Sequence, residues 1–382
     1  MKVAIVTAHM SRASGGVTEA IQGLAQALEK RDVTVHILGI ADARHAEDAR
    51  EWGKASVPHR ALGPRGFGWA PSMQNGLATI DADVTDAQGL WMYPSLANLR
   101  YARTKRRPYV ITPHGMLDPW AVGRARWKKR LVAAWFERAH LDGAACIRAI
   151  APAEVRAVRA FGLRNPVALV PNGVDLPADA PAEPPHEPRT LLFLGRIDPK
   201  KGVSELLRAW AAVEAEARAT GWRLQVTGWG HPKYVARMQA LVRELDLSRE
   251  TFVWTGPRYG EAKAACYRDA AAFVLPSASE GLPMAVLEAW SHRLPALLTD
   301  ACNLPSGFEV GAARRIGATA TSIAGGIRDV IRTEAATRTT MGEAGRRLVE
   351  DRFSWPKVAG DMVAVYRWVS YGGPRPSCVT TD

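Results

Sequence analysis

The sequence predicts an α/β protein of two domains, each a parallel sheet flanked by helices. Short apolar, β-branched runs alternate with longer segments of helical period along the chain. That is the pattern of parallel strands joined through crossover helices. The alternation is interrupted once, by "PADAPAEPPHEP" at 177–188, with five prolines in twelve residues and no apolar period. Such a composition marks a linker. At 382 residues the chain also exceeds what one core ordinarily serves.

The first run, "KVAIVT" at 2–7, is read as a strand and not as a leader peptide, because the small-residue cleavage pattern is missing. It leads into "SRASGGVTEAIQGLAQAL", where Ile21, Leu24, Ala25 and Leu28 share one helical face and Gly15–Gly16 lie at the helix start. "VTVHIL", "YVIT" and "VALV" supply further strands before the linker. Behind it come "TLLFL", "RLQVTG", "TFVWTG" and "AAFVLP", again separated by helical patterns. The expected boundaries are an N-terminal domain over 1–176, a linker over 177–189 and a C-terminal domain from 190. The closing "YGGPRPSCVTTD" at 371–382 reads as a flexible tail.

Apolar residues make up 47% and charged residues 23%, with no apolar run near the length of a membrane span, so a soluble globular protein is expected. Cys146, Cys266, Cys302 and Cys378 are scattered without disulfide-framework or zinc spacing, which fits a reducing cytoplasm. The net charge of +12 is concentrated between Tyr101 and His140, where ten Lys or Arg face two acids. In that stretch Trp127, Leu131 and Trp135 recur four apart beside "RARWKKR". Two readings stay open for it: an amphipathic helix that meets an anionic membrane surface, or a solvated basic face over an ordinary core stripe. A nucleic-acid partner is not expected, since no recognition motif accompanies the charge.

Parallel sheets bind ligands at the carboxyl ends of their strands, which directs attention to the strand-to-helix loops. Gly15 and Gly16 let main-chain N–H groups approach an anion at a helix start. In "LLFLGRIDPKKGVSELLRAW" a strand ends at Leu194 and a helix begins near Val203, with Arg196, Lys200 and Lys201 between them; cations there can neutralise a diphosphate. In "FVLPSASEGLPMAVLEAW" a strand ends at Leu275 and a helix opens after Pro283, with Glu280 in the loop and Glu288 on the helix. Glu288 can accept from two neighbouring ribose hydroxyls while the amides of Gly281, Leu282 and Met284 face phosphate. "DAD" at 81–83 imitates a metal-binding pair of acids, yet its place beside a strand argues for capping, and Asn172 in "PNGVD" reads as a turn residue.

The ordered set of the Gly15–Gly16 loop, "TPHGMLDPW" at 112–120, "VPNGVD" at 170–175, "GRIDPKKG" at 195–202 and the Glu280/Glu288 pair resembles a retaining GT-B glycosyltransferase of family 4 over nearly the whole chain. The resemblance implies two Rossmann-like parallel-sheet domains facing a cleft, the first on the acceptor side and the second, 190–354, binding a nucleotide sugar. It also implies a helix over 355–370 that crosses back to the N-terminal domain. By it Arg196 and Lys201 bind the donor diphosphate, Glu288 the ribose and Glu280 the donor sugar, with Gly15 and Gly16 on the donor-binding side, Gly16 near the phosphate or the acceptor, and His114 beside the transferred sugar. Catalysis would then rest on His114, Glu280, Arg196 and Lys201, with no metal or other cofactor. The expected reaction moves a sugar from a nucleotide sugar to a glycan or polyprenyl-linked glycan in polysaccharide biosynthesis, at the cytoplasmic face of a membrane. The alternatives are a sugar-nucleotide epimerase on the same fold and a non-enzymatic nucleotide-sugar-binding protein. One departure from the family pattern stands at Gln88, ahead of "GLW", where relatives often carry a histidine.

Overall fold

A computed structural model describes residues 1–8, 10, 16–41, 52, 56–63, 66–123, 126–177 and 187–381. Gly15 and positions 178–186 of the expected linker lie outside the described residues. The chain forms two compact units, one of Met1–Gly173 with Trp355–Asp382 and one of Val174–Ser354.

The first unit is built on strands β1 (Lys2–Thr7), β2 (Thr34–Ala41), β3 (Ser56–Arg60), β4 (Val84–Gln88), β5 (Tyr109–Thr112), β6 (Cys146–Ala149) and β7 (Val167–Leu169), with β14 (Val379–Thr380) at the far end of the chain. Their order is β14-β7-β6-β5-β4-β1-β2-β3. All pairings are parallel except β14 with β7. Val3 to Val6 are buried one after another, the mark of a strand covered on both faces. Helix Gly16–Glu29 buries Ile21, Leu24, Ala25 and Leu28 as its spacing predicts. Helix Trp355–Tyr371 joins the same core through Val358, Met362 and Val365, each burial stabilising by about 1.5–3 kcal/mol.

Two segments differ from what the sequence predicts. The segment 371–382 is not a free tail: Val379 is buried, and Leu169 N–H donates to the Cys378 carbonyl at 2.8 Å. β7 would otherwise expose an unpaired edge, and a two-residue strand is too short to show a period. The basic segment is not one regular helix either. It runs as helix Arg126–Val132, a π-helical turn Ala133–Glu137 and helix Arg138–Asp142. Phe136, His140 and Leu141 enter the core, whereas Trp127, Leu131 and Trp135 are 65%, 63% and 63% exposed. The apolar stripe therefore faces outward, and the reading as an ordinary core stripe is overturned. In an unbroken α-helix Trp135 would lie about 80° round from Trp127; the wider i→i+5 turn takes up part of that rotation.

The second unit holds β8 (Arg189–Leu194), β9 (Trp222–Thr227), β10 (Phe252–Gly256), β11 (Ala272–Leu275), β12 (Ala296–Leu298) and β13 (Ala313–Arg315). These form a parallel sheet in the order β10-β9-β8-β11-β12-β13. Its core is filled by Phe193, Trp210, Trp222, Phe273 and Trp290. The chain leaves β8 toward one edge and returns at β11 toward the other, so the topological switch point lies between β8 and β11, where ligands of such sheets bind.

Candidate active site

The loops after β8 and β11 of the second unit are stitched to each other and to their neighbour. Beyond β8, Gly195 N–H donates to the Thr227 carbonyl at 3.0 Å and Ile197 N–H to the Trp229 carbonyl at 2.7 Å. The approach is so close that a Cβ on Gly228 would stand 1.8 Å from the Gly195 carbonyl oxygen; only glycine fits. Asp198 accepts from Lys200 N–H at 3.2 Å and opens the 3-10 turn Pro199–Lys201. Gly202 follows at φ 69°, where a Cβ would lie 2.3 Å from the Pro276 carbonyl oxygen, and helix Val203–Ala211 begins. Ala278 N–H donates to the Lys200 carbonyl at 2.7 Å. These bonds hold the cationic loop against the acidic one.

Two of the predicted side chains meet there. Lys201 Nζ donates to Glu280 Oε1, and the two side chains are only 14% and 8% exposed. The Ser277 hydroxyl donates to the same oxygen at 2.5 Å. Main-chain atoms of Glu280 are also fixed, its N–H donating to the Ala301 carbonyl at 3.0 Å and its carbonyl accepting from Asn303 Nδ2 at 2.5 Å. Arg196 is exposed, with no hydrogen bond or ion pair among the described residues, so its guanidinium is open to an anion. Gly281, Leu282 and Met284 lie at the start of helix Met284–Ser291, whose first N–H groups have no partner within the helix.

Glu288 is not the open acceptor that the sequence suggests. Lys263 Nζ donates to its Oε1 at 2.7 Å and Tyr267 Oη to its Oε2 at 2.6 Å. Both partners come from helix Gly260–Arg268, four residues apart and hence on one face. A carboxylate has about four lone-pair positions, more than two donors fill.

In the first unit His114 follows β5 with φ 51°, and Gly115 with φ 76°, two successive left-handed residues that throw the imidazole away from the strand line. Glu154 secures the turn by accepting from Gly115 N–H and, at 2.7 Å, from Ile150 N–H. His114 Nε2 lies 2.7 Å from Gln88 Oε1, at the carboxyl end of β4. Burial, then the Arg148 guanidinium nearby, pushes the imidazole pKa down to about 3, so the ring is neutral. Arg148 itself donates to the carbonyls of Val170 and Pro171 and to Asn172 Oδ1; Asn172 is a buried anchor as well as a turn residue. Gly16 opens its helix, and a Cβ there would meet nothing within 4 Å. Asp83 accepts from Lys2 N–H at 2.8 Å, and Asp81 closes helix Ser72–Ile80 in the left-handed region, so both acids of "DAD" flank β4 as expected.

Residues 178–348 match the family description "Glycosyl transferases group 1" and residues 14–177 match "Glycosyltransferase Family 4". The chain belongs to the group 1, family 4 glycosyltransferases. A D-inositol 3-phosphate glycosyltransferase of Kineococcus radiotolerans is 31% identical to this glycosyltransferase over 230 residues, 53% of this chain and 51% of that one; the match spans about half that relative's length. A GDP-mannose:cellobiosyl-diphosphopolyprenol alpha-mannosyltransferase of Xanthomonas oryzae pv. oryzae is 24% identical over 322 residues, 78% of this chain and 79% of that one. Among solved structures, sucrose-phosphate synthase from Thermosynechococcus elongatus superposes with a TM-score of 0.76 at 20% identity, covering 98% of this chain and 100% of that one. The shared fold is GT-B.

Four polar groups of this glycosyltransferase escape sequence reasoning: Lys263, Tyr267, Ser277 and Asn303. The first two carry a weak signal, a Lys and a Tyr on one face of a helix at the carboxyl side of a strand. The other two carry none, because a serine or asparagine in a loop looks like any turn residue until the acid that it touches is placed.

Proposed function

We propose that this glycosyltransferase moves a sugar, with retention, from a nucleotide sugar to a glycan or polyprenyl-linked glycan acceptor in polysaccharide assembly. The observation that carries the reading is the pairing of Lys201 with Glu280 across the loops after β8 and β11, with exposed Arg196 on the first of those loops and Glu288 on the helix that follows the second. Arg196 and Lys201 meet the diphosphate, and they stabilise the charge that grows on it as the glycosidic bond breaks. Glu288, steadied by Lys263 and Tyr267, takes the ribose, and Glu280 takes hydroxyls of the sugar. Both carboxylates are already paired with ammonium and hydroxyl donors, which favours a hydrogen-bonding role over that of a base for the acceptor. The leaving phosphate oxygen then receives the acceptor's proton on the face that it vacates. The two cations do the work often given to a metal, so we propose turnover without one. The Xanthomonas relative, named for a diphosphopolyprenol acceptor, supports a lipid-linked acceptor here. So does the outward row Trp127, Leu131 and Trp135 beside exposed Lys128 and Arg130, which suits peripheral contact with an anionic membrane surface, placed by this reading at its cytoplasmic face.

Calorimetric titration with UDP and GDP, then turnover of UDP- and GDP-sugars with a polyprenyl diphosphate glycan, tests the proposal. Saturable binding that Arg196→Ala weakens, and product of retained configuration formed in the presence of a chelator, are expected. Activity abolished by the chelator and restored by magnesium would overturn the metal-free part, and nucleotide binding indifferent to Arg196 would overturn the donor site.

A further inference from the structure

His114 is gripped at one ring nitrogen only. Nε2 meets Gln88 Oε1 at 2.7 Å, and Nδ1 has no hydrogen bond among the described residues, nor is it among the sealed, unpartnered side-chain atoms. A neutral imidazole carries its proton on either nitrogen according to what its partner offers, and an amide can offer an oxygen or an NH₂ group. The residues behind Gln88 remove that freedom. Asp86 is fully buried, with Oδ2 accepting from Tyr366 Oη at 2.5 Å and Oδ1 lying 3.3 Å from Thr112 Oγ1. Burial pushes the Asp86 pKa up, and the Tyr366 hydroxyl, the Arg148 charge, Thr112 and Gln88 oppose that rise; all of these neighbours are donors or cations. As a carboxylate, the form that Tyr366, the Arg148 charge, Thr112 and Gln88 favour against burial, Asp86 only accepts, so Thr112 gives it its one hydrogen and is left as acceptor for Gln88 Nε2 at 3.3 Å. The amide oxygen of Gln88 then has one direction left, toward His114.

We infer that Gln88 is a positioning residue, and that the one-way chain His114 to Gln88 to Thr112 to Asp86 fixes the imidazole as its Nε2–H tautomer with Nδ1 as an open acceptor. The left-handed backbone at His114 and the grip of Glu154 on Gly115 fix where that lone pair stands. Resting on the glycosyl-transfer reading, Nδ1 is an acceptor for a sugar hydroxyl brought to the first unit, and a sugar lacking that hydroxyl leaves a poorly solvated acceptor unpaired.

The test needs neither donor nor acceptor. Long-range proton–nitrogen correlation spectra of the labelled full-length protein distinguish the two neutral tautomers by their nitrogen shifts, and His114→Asn identifies the resonance by its loss. Wild-type protein is expected to show protonated Nε2 and unprotonated Nδ1 throughout about pH 6 to 8. Thr112→Val keeps the shape but removes the acceptor that orients the amide, and Gln88→Met removes the amide; each is expected to give a mixture of tautomers. A wild-type spectrum showing Nδ1–H or a mixture overturns the inference. So does a Thr112→Val spectrum that stays wholly Nε2–H, and these two results decide the matter even if Gln88→Met fails to fold. A fixed tautomer in a protein that transfers no sugar would count against the glycosyl-transfer reading and leave the chain of donors standing.

Discussion

Lys201 and Glu280, 79 residues apart in sequence, form a hydrogen-bonded ion pair that is largely withdrawn from solvent. The cationic loop after β8 and the acidic loop after β11 are thus one electrostatic unit. Its two ends need not respond alike to substitution.

Glu280→Gln removes the countercharge of Lys201 without removing the cation. Turnover of the intact donor should fall about 10- to 100-fold, the cost of one hydrogen bond to a charged group, while binding of a nucleoside diphosphate stays unchanged or tightens because Lys201 is freed toward phosphate. Calorimetry with UDP and GDP beside steady-state rates checks this. A matching loss in nucleoside diphosphate affinity would show that the acid serves the phosphate end as well.

Glu288→Gln should weaken nucleoside diphosphate and intact donor equally, by about 1 to 3 kcal/mol. Lys263→Met and Tyr267→Phe each remove one of the donors that hold Glu288, and each should weaken both ligands about threefold to tenfold. The losses should be less than additive with Glu288→Gln, since the three groups share one network. Full additivity in the double variants would mean that the two donors act on something other than Glu288.

The depressed pKa of His114 fixes a direction for acid stability. Neutral in the folded protein down to about pH 3, the ring takes up a proton in the unfolded chain below about pH 6.5. Between those values the unfolded state binds the extra proton, so stability falls as pH falls. Denaturant titrations between about pH 6 and 4.5 should show a shallower loss in His114→Asn than in wild type. Equal slopes would mean that the imidazole is as easily protonated folded as unfolded.

Outward-facing Trp127 and Leu131, beside Lys128 and Arg130, predict binding to vesicles that contain phosphatidylglycerol, weakening as salt rises. Replacing Lys128 and Arg130 with Glu should reduce that binding by at least about 30-fold, at about 1 kcal/mol for each basic residue near the surface. Trp127→Ser with Leu131→Ser should reduce it without changing the salt dependence. Sedimentation with vesicles that leaves the wild type in the supernatant at low salt would point to a soluble acceptor.

Much of this fold is legible in the sequence alone. The parallel α/β architecture follows from alternating apolar runs and helical periods, because those periods are set by local backbone geometry. Arg196, Lys201, Glu280 and Glu288 could be singled out because loops after parallel strands carry ligands and because each is a charged residue in such a loop or, for Glu288, on the helix that the loop opens. What the sequence determined, then, is which elements form and which loops bear chemistry. Only the tertiary structure decided who touches whom: that Glu280 meets Lys201, that Glu288 is already held by Lys263 and Tyr267, and that Gln88 reaches His114. Only it decided that Trp127, Leu131 and Trp135 face solvent and that the final residues add a strand to β7. Each of these depends on sheet order, on a π turn that no period announces, or on an edge that needs covering, and so on groups far apart in the chain, to which a local pattern of side chains carries no pointer.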